Sequence, residues 1–147
     1  MPASEPAASG APEGFAPLFR TSPFLEATGP FYFRRDGDRL VIGVRVLEKH
    51  ANARGFAHGG LLMTLADIAL GYTLALRENP PASFVTANLS GDFAGSAAIG
   101  DWVEAHVDVQ KSGSRLAFAN AYLMVGEERI FRASAVFARR PRGEAKA

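Results

Sequence analysis

Residues 59 to 76 form an eighteen-residue apolar block whose one charged side chain is Asp67. This block constrains the fold more than any other stretch. Its length invites a membrane reading, but Gly59, Gly60, Thr64, Gly71 and Thr73 dilute it and a carboxylate sits near its middle. β-type sequence also surrounds it, so a membrane span is rejected. At about five turns, and apolar on every side, it reads as a helix wrapped by the rest of the protein.

The flanks supply the wrapping. Phe31–Phe33 meets the turn signal Asp36-Gly37-Asp38, and then Leu40, Ile42, Val44 and Val46 alternate with Val41, Gly43 and Arg45, which predicts a β-hairpin. Beyond Pro80-Pro81 come strand candidates at 83–93, 102–110, 115–125 and 129–138. The 83–93 stretch is the least regular. In 102–110, Val103, Ala105, Val107 and Val109 face one way, and Trp102, Glu104, His106 and Asp108 the other. The order hairpin, long helix, then a meander is an α+β pattern: a curved antiparallel sheet wrapped around one central helix. Phe15–Glu26 is ambiguous, a short helix or turn interrupted by Pro17 and Pro23. Residues 1–14 and 141–147 lack large apolar side chains and read as flexible tails around one domain, 15–140. The start has no basic segment followed by an apolar run, so no secretory signal is expected and the location is expected to be cytoplasmic.

Composition narrows the chemistry. The chain has no cysteine, which excludes disulfides, thiolate metal sites and a cysteine nucleophile. His50, His58 and His106 form no ligand cluster in the sequence, so no metal is expected. His50 reads as a solvated loop residue and His106 as part of a polar strand face. A formal net charge of +1 argues against a nucleic-acid binder. That total hides an asymmetry: residues 1–110 carry 8 basic and 12 acidic side chains, residues 111–147 carry 8 and 3.

The chemistry-bearing stretch runs from Asn52 through His58-Gly59-Gly60 to Asp67. At a helix start the first N–H groups lack helical partners and lie at the positive end of the dipole. Glycines there let a carbonyl oxygen approach and develop negative charge. The plainer reading is that Gly59-Gly60 only lets a tight loop enter a packed helix. Asp67 has no Lys or Arg within a turn on its own helix; it is either a reactive carboxylate or one satisfied by a nearby hydroxyl or by solvent at a subunit seam. Asp67 follows Gly59 by eight residues, about 12 Å along a helix. If both act on one substrate they must come from different chains, which favours a two-fold dimer with two equivalent sites.

Asn52…His58-Gly59-Gly60…Asp67, together with Gly91-Asp-Phe93, Gly100-Asp101 and Lys111-Ser-Gly-Ser-Arg-Leu-Ala-Phe118, resembles the hotdog-fold thioesterases. The nearest likeness is to the branch of the phenylacetic-acid-pathway thioesterase and thioesterase superfamily member 2, and it spans about residues 31–139. The resemblance implies hydrolysis of an acyl-CoA in a dimer-shared site, in a homodimer that pairs into a homotetramer. The Gly59 N–H, helped by Gly60, would polarise the thioester carbonyl. Asn52 and His58 would hold the thioester or the attacking water, and Asp67 of the partner subunit would be nucleophile or general base. Thr86 aligns with the assisting hydroxyl, with Ser83 and Ser90 as alternatives. No cofactor is needed, coenzyme A being part of the substrate. Lys111, Ser112, Gly113, Arg115 and Arg139, with Arg140 and Arg142, are candidates for its phosphates, against ordinary solvation of turns and tails. Phe118, Phe131 and Phe137 are candidates for an acyl pocket or for plain core. Two other readings remain open: a hotdog module that binds acyl-CoA without cleaving it, and a thioesterase for acyl carrier protein.

Overall fold

The computed structural model describes residues 10–141. In chain order these build β1 (Ala16–Pro17), α1 (Pro23–Thr28), β2 (Phe31–Asp36), β3 (Arg39–Arg45), a 3₁₀ turn (Glu48–His50), α2 (Gly59–Leu76), β4 (Phe84–Phe93), β5 (Trp102–Ser112), β6 (Leu116–Val125) and β7 (Glu128–Arg139). The seven strands form one antiparallel sheet in the order β1-β2-β3-β5-β6-β7-β4. α2 packs on one face of it, touching β3, β4, β5, β6 and β7. This is the expected α+β hotdog, with the helix spanning the predicted block from end to end.

The wrapping is one-sided within a single chain. Leu61, Leu62, Leu65, Ala66, Ala69, Leu70 and Leu74 recur at helical spacing and are buried against Ile42, Val44, Val103, Ala105, Ala119, Ala121 and Leu123. Met63, Thr64, Asp67, Ile68, Gly71 and Tyr72 are only half-buried. The helix is therefore apolar on a side that its own sheet leaves open.

The hairpin turns at Gly37, whose φ of 63° favours glycine. β3 is buried on both faces, and the Trp102 ring lies over Gly43, where any Cβ would collide with it. Phe15 meets Trp102 edge-on at 4.9 Å, and the Arg45 guanidinium donates to the Gly10 carbonyl at 2.8 and 3.0 Å. Residues 10–14, read from the sequence as tail, thus include an anchor on the sheet; residues 1–9 and 142–147, Arg142 among them, lie outside the described residues. Pro23 opens α1 rather than breaking it. Ser22 caps that helix through its side chain, accepting from the Leu25 N–H, and a proline suits the first turn because no N–H is needed there.

Candidate active site

The loop from Leu47 to His58 delivers the chain to the start of α2. Asn52 Oδ1 accepts from the Arg54 and Phe56 N–H groups, at 2.9 and 3.1 Å, and so ties its own turn. Its amide nitrogen is what remains for a substrate. His58 is the N-cap: its Nδ1 accepts from the Gly60 N–H at 2.9 Å. A nitrogen that accepts carries no proton, so neutral His58 holds its proton on Nε2 and presents a donor there. This corrects one expectation. The Gly60 N–H is already engaged by His58 and is not a second free donor for a carbonyl. Among the described residues no acceptor takes the Gly59 N–H, and the ring of Phe93, 53% exposed, lies beside it.

His50 corrects another expectation. It is 5% exposed, with Nδ1 accepting from the Leu47 N–H at 2.9 Å and Nε2 at 2.6 Å from the Thr28 carbonyl. A carbonyl only accepts, so Nε2 is the protonated nitrogen. Its own carbonyl takes the His58 N–H. His50 therefore fastens the 3₁₀ turn to the end of α1 and to the loop leading into α2.

Asp67 lies two turns into α2. The Thr86 hydroxyl donates to its Oδ1 at 2.7 Å. Thr86 pairs across from buried Phe137 on the helix side of the sheet, and a bulge between Thr86 and Asn88 adjusts the register there. Of the three candidate hydroxyls, Thr86 is the one that meets Asp67; Ser83 contributes its carbonyl to the Arg140 N–H, and Ser90 pairs with Ser134 across β7.

Two groups of site residues thus lie apart in one chain. His58 and Gly59 sit at the Phe93 end of β4, and Asp67 and Thr86 sit toward its Phe84 end. β4 is the last strand of the sheet, ten residues long, largely exposed, with Asp92 its one charged residue.

The basic candidates gather at the Phe84 end. Arg139 ion-pairs with Glu78 at 2.8 Å, donates to Ser112 Oγ and the Gly113 carbonyl, and lies 4.8 Å from the Phe84 ring centre. It is taken up as a clamp between the end of α2, the β5–β6 turn and β4, which corrects the expectation that it waits for a phosphate. Ser112 and Gly113 are the other side of that clamp, while Lys111 and Arg115 stand exposed on the same turn. Phe131 and Phe137 are core, and Phe118 lies on the opposite sheet face, partly exposed. His106 bonds Glu104 Oε1 at 3.1 Å on the polar face of β5, as its alternation predicts. That bond, helped by the Trp102 indole N–H and opposed by burial, holds the Glu104 carboxyl below its ordinary range.

One feature that sequence reasoning missed is a pocket of about 390 Å³ beside the helix start, where His58, Gly60, Leu61 and Thr64 face Phe24 and Ala27 of α1.

Comparison with known proteins agrees with this fold. Residues 54–130 match the sequence profile of the thioesterase superfamily. A Pseudomonas aeruginosa protein named "Putative esterase PA0474" is 54% identical over 127 residues, which are 86% of this chain and 95% of that one. Mouse acyl-coenzyme A thioesterase 13 is 31% identical over 86 residues, 58% of this chain and 61% of its own. Among solved structures, a mutant of the phenylacetic acid degradation protein PaaI from Thermus thermophilus superposes with a TM-score of 0.68 at 26% identity, over 81% of this chain and all of that one. The chain belongs to the thioesterase superfamily, and its activity, in general terms, is thioester hydrolysis.

Proposed function

We propose that the substrate is an acyl-CoA, hydrolysed to a free carboxylic acid and coenzyme A in a site shared by two subunits. The observation that carries this reading is the separation of the two half-sites in one chain, joined to an edge strand that lacks a neighbour. If β4 pairs antiparallel with a second β4 about a two-fold axis near its middle, each Thr86 end comes beside the other chain's Phe93 end. Asp67 of the partner subunit then faces the Gly59 N–H and His58. The half-open side of α2 would be covered in the same step.

In this site the thioester carbonyl takes the Gly59 N–H, which stabilises the oxyanion as the carbonyl carbon becomes tetrahedral. His58 Nε2–H and the Asn52 amide hold the substrate or a water. The partner's Asp67, oriented by its Thr86, either removes a proton from the attacking water or attacks the carbonyl itself. Collapse of the tetrahedral species breaks the C–S bond and releases the thiolate of coenzyme A. Water attack gives the free acid directly, whereas attack by Asp67 leaves an acyl anhydride on its carboxylate that a water then hydrolyses to the free acid. Lys111 and Arg115, on an exposed turn, are the side chains offered to its phosphates. Further proposals are a cytoplasmic location and pairing of dimers into a tetramer.

The test is release of free thiol from a panel of acyl-CoA thioesters by the purified protein and by Asp67→Asn. The proposal expects turnover to fall by about 10²-fold or more with the fold retained by circular dichroism. Unchanged turnover in Asp67→Asn would sink the mechanism. Binding of acyl-CoA with no thiol release by the wild type would favour a binding module instead.

A further inference from the structure

We infer that α1 is the specificity wall of the acyl pocket, with Phe24 limiting the length of acyl group that the enzyme accepts. The inference rests on the thioester-hydrolase reading of the site beside it. Four observations meet here. First, the pocket of about 390 Å³ opens between α1 and the start of α2, and His58 and Gly60 are part of its lining. An acyl chain whose carbonyl sits on the Gly59 N–H therefore has this space next to it. Second, the volume falls at the lower end of the roughly 300–1,000 Å³ typical of ligand pockets, which suits a short or compact acyl group. Third, Phe24 is 59% exposed although it lies in the lining, so its ring has apolar surface that a ligand can cover. Leu61 supplies apolar surface opposite.

Fourth, this wall is held from the catalytic loop rather than left loose. A six-residue helix has little stability of its own. α1 is fixed by buried Leu25, by the Ser22 cap, by Lys49 Nζ donating to the Ala27 carbonyl at 3.2 Å and by His50 Nε2–H donating to the Thr28 carbonyl at 2.6 Å. Lys49 and His50 lie on the 3₁₀ turn that leads to Asn52 and His58. The loop that leads into the Gly59 N–H thus also sets the position of the far wall, and His50 acts as a positioning residue for Phe24.

The experiment compares kcat/KM for dodecanoyl-CoA and for butanoyl-CoA in three proteins: wild type, Phe24→Ala and Ala27→Phe. Both substituted side chains are exposed, so folding is expected to survive, and thermal melts check it. Phe24→Ala should raise the dodecanoyl-to-butanoyl ratio by about tenfold, mostly through the KM for the long chain; Ala27→Phe should lower it. Loss of one or two methylenes' worth of fit corresponds to changes of about this size. A ratio that stays within about twofold of wild type in both folded variants overturns the inference while leaving the hydrolase reading intact. A wild type inert toward every thioester in the panel overturns both.

Discussion

At the scale of single residues, the bond from Thr86 to Asp67 Oδ1 leaves the second carboxylate oxygen for the substrate or a water. A carboxylate on an apolar helix needs such a partner, and no Lys or Arg of α2 provides one. Replacing Thr86 by Val should lower kcat about tenfold with little change in KM, because orientation rather than binding is lost; Thr86→Ser should keep most of the rate. Steady-state kinetics on one acyl-CoA checks the split. The eight-residue spacing of Gly59 and Asp67 was legible as a separation along α2, while the roles proposed for them come from the family resemblance. Thr86 was harder, with Ser83 and Ser90 as rivals, because the bulge after it decides which hydroxyl turns toward the helix. His50 was misread as solvated, because its burial comes from a carbonyl 22 residues away in sequence. Nothing local signals such a contact.

At the scale of elements, the basic last third of the chain divides into two roles. Arg139 ties three elements together, and Arg139→Ala should cost about 1–3 kcal/mol through lost hydrogen bonds and packing, seen as a lower urea midpoint at unchanged m. It should leave the preference for CoA over pantetheine thioesters as it was. Lys111 and Arg115 are proposed to meet the phosphates. Lys111→Ala with Arg115→Ala should raise KM for the CoA thioester severalfold at low salt, leave the pantetheine thioester unaffected, and lose its effect as ionic strength rises. The charge asymmetry was plain in the sequence, but a guanidinium's commitment to Glu78 and to a turn carbonyl depends on a tertiary meeting that composition does not encode. The hairpin and the meander were legible because the period of 2.0 survives in their strands, and the helix because an apolar block of about five turns between β-type segments has to be wrapped by them. α1 was not, because six residues hold less than two turns of pattern.

At the scale of the whole molecule, the helix is more apolar than one sheet requires and β4 lacks a neighbour on one side. Both features are liabilities in a lone chain and assets in a pair. The sequence reading of a helix wrapped all round holds for one face within the chain and asks for a second copy on the other. The direct test is complementation between two inactive chains. Asp67→Asn removes the carboxylate. Gly59→Pro replaces the N–H with a ring methylene while keeping the helix start: proline fits the first helical position, and His58 already has the extended backbone, φ −62° and ψ 142°, that a following proline prefers. The nearby Phe93 ring is exposed and can give way. Each variant by itself should retain about 1% of wild-type turnover or less. Co-refolded in equal amounts, half of the dimers carry both chains and each of those has one complete site, so about a quarter of wild-type activity should return. Activity that stays at the background of the two single variants, while differential tags prove that mixed dimers have formed, would contradict a site shared between subunits.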